Sequence, residues 1–251
     1  MKDVLIVSSA IIPAVCLFFY IWRRDPIREP FSWLAKGFFY GAAICIPIAI
    51  VEAIIQLSLF GSDGPSTLIG TTIEAFFVAA LPEESFKLLA LWLLLRKNPY
   101  FDEHIDGIVY AVSVGLGFAT IENIGYLYTY ESEWTSVAIS RALLAVPGHY
   151  AFAVIMGYYY SLYHFIEQSD RNRYFILLMP VLAHGIYDAL ALSGTVNIYV
   201  GGVSAIILII FCIWMHRFAL KKIIAHLDND KRTSFEQKYD DNYEKWTFPK
   251  L

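Results

Sequence analysis

The run GTTIEAFFVAALPEESFKLLALWLLL, residues 70–95, is apolar over most of its length and gathers Glu83, Glu84 and Lys87 near its middle. At about 1.5 Å per residue a helix of this length crosses a hydrocarbon core about 30 Å thick. Six more runs of similar character flank it, at 3–22, 37–60, 104–130, 135–164, 174–194 and 197–215. The expected fold class is all-α, a polytopic membrane bundle of about seven transmembrane helices. Composition agrees: 57% of the 251 residues are apolar, 16% aromatic and 17% charged, whereas soluble domains carry about 25% charged residues. Mean hydropathy is +0.52. Disordered, collagenous, solenoid and disulfide-scaffold classes are excluded, and a net charge of −4 offers nucleic acid no basic surface.

Lysine and arginine placement predicts the orientation. Arg23, Arg24 and Arg28 follow the first run, Arg96 and Lys97 the third, Arg171 and Arg173 the fifth, and Arg217, Lys221 and Lys222 the seventh. The intervening connections GSDGPST, YESE and LSGTVN contain neither residue type. By the positive-inside rule the N-terminus is outside and the C-terminus cytoplasmic. The first run is read as a retained span, because its basic cluster follows the apolar stretch and no small-residue cleavage site is evident. Two regions are expected, a transmembrane core over 1–216 and a charged cytoplasmic tail over 217–251. Cys16, Cys45 and Cys212 lie inside apolar runs without CxxC spacing and read as small buried hydrophobes.

An ionisable side chain at mid-bilayer costs at least about 2.5–3.5 kcal/mol, so each one needs a partner or a purpose. In PEESFK, Lys87 lies one helical turn beyond both glutamates and can neutralise one of them. Pro82 is expected to kink the helix and free a backbone carbonyl. Glu122 and Asn123 follow in FATIENIGY, on a glycine-rich helix suited to close packing. His149 comes after Pro147 and Gly148, a second helix break. Arg141 lies two turns nearer the outer surface, positioned either to face the interior or to reach the headgroups. His184 and Asp188 are one turn apart on one face, where the carboxylate can orient the imidazole. Counting about 1.5 Å per residue, Glu83, Glu122, His149 and His184 lie about 12–21 Å from the outer ends of their helices, so they can meet. Glu52 and Gln56 share a face one turn apart and, with Glu74, read as interfacial or cavity-lining. His104, Asp106, His164, His216 and His226 mark helix ends or the tail, with no role assigned.

Paired carboxylates beside histidines in a partly dry cavity suit hydrolysis, one glutamate activating water and a second acid or histidine protonating the leaving amine. Histidine and carboxylate ligands equally suit a zinc ion that activates the water. Neither HExxH nor GxSxG occurs, and no serine or cysteine is plainly paired with a base. A proton- or ion-coupled transporter uses similar side chains, and a non-catalytic receptor is the other alternative; the chain shows none of the internal repeats that many transporters carry.

Glu83-Glu84-x-x-Lys87, Phe118-x-x-x-Glu122-Asn123, the Arg141…Pro147-x-His149 stretch and His184-x-x-x-Asp188 together resemble the PrsW family of intramembrane proteases, distant relatives of the type II CAAX prenyl endopeptidases. The resemblance covers about residues 70–194, with four motifs in order. It implies a bacterial plasma-membrane enzyme that makes the site-1 cut in a single-pass anti-sigma factor on its extracytoplasmic side, within an envelope-stress response. It also implies Glu83 and Glu84, with Lys87, as leading catalytic residues. Glu122, His149, His184 and Asp188 would serve as further catalytic groups, and Asn123 and Arg141 as supporting ones. A metal, zinc by the chemistry above, would draw on Glu83, Glu84, Glu122, His149 and His184. Where the prenyl endopeptidases have a pattern like FxxxH, this chain has Glu122.

Overall fold

The computed structural model describes residues 2–244, with side chains to residue 233. Among these residues there is no strand; the chain folds as seven helical rods. They are α1 (Lys2–Trp22), α2 (Phe31–Phe60), α3 (68–95), α4 (Asp106–Thr129), α5 (134–166), α6 (Asp170–Val196) and α7 (Ile198–Glu244). Six helices are long and apolar enough to cross a membrane. The seventh rod, α3, is interrupted and carries Glu74, Glu83, Glu84 and Lys87.

Helix α4 is the axis of the bundle. Residues 106–120 are buried without a break, and α1, α2, α3 and α5 all pack on it. Small residues allow this. A methyl group added to Gly117 would collide with the Phe38 carbonyl, and one on Gly41 with the Val114 carbonyl, so α2 and α4 touch backbone to backbone. Around this axis the exterior is apolar: Ile46, Ile50 and Ile54 on α2 and Ile206, Ile210 and Ile213 on α7 are all exposed. Such a surface is stable only against lipid. Cys212 is buried as expected, whereas Cys16 lies on the exposed face of α1 and Cys45 is half-buried; the outward rotation of α1 puts Cys16 there.

Pro82 and Pro147 follow widened turns rather than helix breaks. The turn Glu74–Ala80 ahead of Pro82 and the turn Arg141–Ala145 ahead of Pro147 are both π-helical. Proline has no N–H and its ring crowds the carbonyl four residues back, and a wider turn relieves both.

Helix α7 continues well past residue 215. Met215, Ala219, Ile223, His226 and Asp230 form a buried stripe at helical spacing. Asp230 accepts hydrogen bonds from the backbone N–H of His104 (2.7 Å) and Ile105 (3.0 Å), at the start of α4. Nearby, Asp25 accepts from the N–H of Ile27 and Glu29, and the Tyr110 hydroxyl donates to Glu29. These contacts place the 23–30 connection, the start of α4 and residue 230 at one end of the bundle. The Lys2–Glu131 ion pair lies at the other.

Candidate active site

The π turn and Pro82 deliver Glu83 and Glu84 at the head of a regular helical segment, where Lys87 is one turn away. The Lys87 Nζ donates to Glu83 Oε2 at 2.9 Å and to Glu84 Oε1 at 2.8 Å, and lies 3.3 Å from His149 Nδ1. All four side chains are buried. The ammonium also sits 4.1 Å from the centre of the Phe118 ring, whose negative face favours a cation.

From α6, His184 completes the group. Its Nδ1 is 2.9 Å from Glu84 Oε1 and 3.9 Å from Glu83 Oε2, and its Nε2 is 3.2 Å from Asp188 Oδ2. The sequence reading did not single out Phe152, which stacks on the His184 ring with centroids 4.7 Å apart and fixes its plane. Its position three residues after His149, on the same helical face, was the available signal.

On the opposite side of His149, Nε2 lies 2.9 Å from Glu122 Oε2. Arg141 hydrogen-bonds both Glu122 and Asn123 and lies over the Tyr126 ring, 3.9 Å from its centre. It therefore faces the interior rather than the headgroups, and the π turn that begins at Arg141 sets this direction. Glu83, Glu84, His149 and His184 each offer one donor atom, and these four lie within 4.8 Å of one another. Glu122 is outside that quartet, behind His149. Glu84 Oε2 is buried without a hydrogen-bond partner among the described residues.

The cluster lies at the wall of a cavity of about 1440 Å³, which Glu52, Gln56 and Glu74 also line and which runs out to Tyr130 and Ile198. Polar groups are concentrated around the glutamates and histidines, and the remaining wall is largely aliphatic. A peptide entering this space meets Glu83, Glu122, His149 and His184 on the wall, with Glu84 and Lys87 buried behind them; carboxylates and imidazoles are components of general acid–base hydrolysis.

The family described as PrsW family intramembrane metalloprotease matches residues 29–215. A relative named Protease PrsW from Clostridioides difficile is 34% identical over 232 residues, 90% of this chain and 93% of that protein. Proteins of the same name from Oceanobacillus iheyensis and Bacillus subtilis are 40% and 35% identical over 184 and 186 residues; each alignment covers 73% of this chain and 81% of the relative. No solved structure matches. Together with the six apolar spans, these matches identify a bacterial multi-pass membrane protease: the chain belongs to the PrsW family of intramembrane metalloproteases.

Proposed function

We propose that the chain makes the first cut in a single-pass anti-sigma factor, on its extracytoplasmic side, and so starts a proteolytic response to envelope stress. The observation that carries this reading is the buried Glu83–Glu84–Lys87–His149–His184 group, which presents Glu83, His149 and His184 to the cavity. Lysine and arginine distribution supports an outside N-terminus and a cytoplasmic C-terminus. The cavity extends toward Thr129 and Tyr130, beside the connection without lysine or arginine, which suits attack from the outer side. Residues 1–216 form the protease core in this proposal, and 217–251 a cytoplasmic extension.

In the proposed mechanism, Glu83 or Glu84 takes a proton from the attacking water and passes it to the leaving amine, and Lys87 pairs with the other carboxylate. His149 and His184 receive the scissile carbonyl and stabilise its developing negative charge. Asp188 orients His184. Glu122, held by Arg141 and Asn123, orients His149. Two carboxylates and two imidazoles are zinc-ligand types, and Glu84 Oε2 has no other partner; the donor set fits a zinc ion once the Lys87 ammonium, 2.8–3.3 Å from three of the four side chains, moves aside. Such an ion would supply Lewis acidity and a lower pKa for bound water, held by His149, His184 and one of the two glutamates, which would leave the other carboxylate free to take the proton.

The test is cleavage of a purified single-pass anti-sigma factor from the same organism, with and without chelator, followed by metal analysis. Activity lost to chelator and restored by zinc supports the metal assignment, and chelator-resistant cleavage overturns it. Full cleavage by Glu83→Gln and Glu84→Gln variants at normal expression would refute the glutamate mechanism.

A further inference from the structure

Two acceptors on the cavity wall have no donor. Glu52 and Gln56, one turn apart on α2, line the same cavity as Glu83, Glu122, His149 and His184. Burial and the charges of Glu83 and Glu122, with no hydrogen bond, dominate the surroundings of Glu52; Gln56 Oε1 is buried without a partner, while its amide group meets Glu74. Neither belongs to the catalytic network. Polar groups placed in a membrane without partners are costly and mark functional positions.

Their depth follows from helix register. The Cys45 thiol points to the Phe118 carbonyl at 3.5 Å, so these two residues are level on α2 and α4. Glu52 is then about 10 Å outward of that level and Glu122 about 6 Å, at about 1.5 Å per residue. Glu52 therefore lies about 4 Å outward of Glu122, the acid that holds His149, and Gln56 one turn farther.

A peptide bond within a helix is shielded by its own turn, and hydrolysis requires that turn to open. Opening frees backbone N–H groups that had been bonded to carbonyls four residues earlier. In a largely aliphatic cavity within the bilayer those donors find few partners besides the hydrolytic water. The substrate thus brings unpaired donors to a wall that carries unpaired acceptors.

We infer that Glu52 and Gln56 form a binding subsite for the unwound backbone of the substrate's transmembrane segment, accepting its free N–H groups on the outward side of the scissile bond. This rests on the protease reading above. The acceptors stabilise the opened strand and so lower the free energy of presenting it to Glu83 and Glu84.

The test uses the full-length protein and a synthetic copy of the transmembrane segment of the anti-sigma factor used above. Glu52→Leu and Gln56→Leu are expected to raise KM and lower kcat/KM about tenfold each, whereas Glu52→Gln, which keeps an acceptor, stays within about twofold. A second substrate has one outward-side amide N–H replaced by an ester oxygen, away from the scissile bond. The unmutated enzyme should lose a similar factor on it, and the Leu variant facing that position should lose nothing more. The ester series reads the contact without altering the enzyme, so a variant that fails to fold does not decide the matter. Unchanged kcat/KM for the Leu variants and the ester substrates, or variant and ester losses that multiply independently, would overturn the subsite. If the unmutated enzyme cleaves neither protein nor peptide, the protease reading itself fails and takes the subsite with it. Cleavage by the unmutated enzyme with no effect of these changes refutes the subsite alone.

Discussion

His184 Nδ1 lies 2.9 Å from Glu84 Oε1, joining residues 100 positions apart in the chain. This contact closes α6 onto α3 and gives the Glu83–Glu84–Lys87 turn its cross-helix partner. With Asp188 on its other nitrogen, His184 is held between two carboxylates. Its orientation is built in before substrate arrives.

Glu84 is the most connected acid of the group, so Glu84→Gln should lower the cleavage rate by about 10²–10⁴, the usual contribution of a positioned acid or base. A discontinuous cleavage assay on detergent-solubilised enzyme measures this. A loss below about tenfold would remove Glu84 from the list of reacting groups.

Lys87→Met leaves Glu83 and Glu84 buried without their cation. Breaking a buried ion pair from one side costs about 3–5 kcal/mol, so the unfolding temperature in detergent should fall. Combining it with Glu83→Gln and Glu84→Gln should recover part of that loss, because the repelling carboxylates are then gone.

Asp188→Asn keeps the size of the side chain but weakens its hold on His184. Partners that orient a reacting or ligating histidine are worth about 10–100-fold. That loss should appear in activity with little change in unfolding temperature. Glu122→Gln should cost more, since it also leaves Arg141 without a counter-charge on the cavity wall.

At the bundle end that holds the 23–30 connection, stability should depend on pH. Burial raises Asp25 from 3.8 to about 6 despite the backbone hydrogen bonds to its carboxylate. Burial raises Glu29 from 4.5 to about 7, with the Tyr110 hydroxyl opposing. In the folded chain both acids therefore hold protons that the unfolded chain has released. Their stabilising contribution is complete below the ordinary carboxylate range and is lost as pH rises through about 6 to 7. Unfolding measured between about pH 4 and 8 should show stability falling with rising pH, and Glu29→Gln should flatten the fall.

Asp230→Ala removes the acceptor for the N–H groups of His104 and Ile105 and the partner of the His104 ring, 2.5 Å away. Leaving buried donors unpaired costs about 1–3 kcal/mol. Hydrogen exchange at residues 104–106 should rise first, before the cavity wall is affected.

Much of the site was legible because its parts are local. Glu83, Glu84 and Lys87 meet within one turn, and so do His184 and Asp188, and helical spacing alone states both. Glu122 and His149 were recognisable as charged or polar groups in apolar helices. Their mutual contact was not, because it depends on the rotation of α4 against α5. Arg141 could equally have faced the headgroups; the π turn that directs it inward is a packing outcome. The long reach of α7 was hidden for another reason. Its buried stripe from Met215 to Asp230 is diluted by Arg217, Lys221 and other polar residues on the exposed faces.

The sequence by itself determined the membrane bundle and the residue types of its buried polar cluster, since apolar run length and helical spacing are local properties. Tertiary structure alone decided that Glu83, Glu84, His149 and His184 share one quartet while Glu122 stands behind it. It also decided that Glu52 and Gln56 line the same cavity. Those outcomes depend on the depth and rotation of each helix, and these are set by close approaches such as Gly41 on Val114 and Gly117 on Phe38, between residues far apart in the chain.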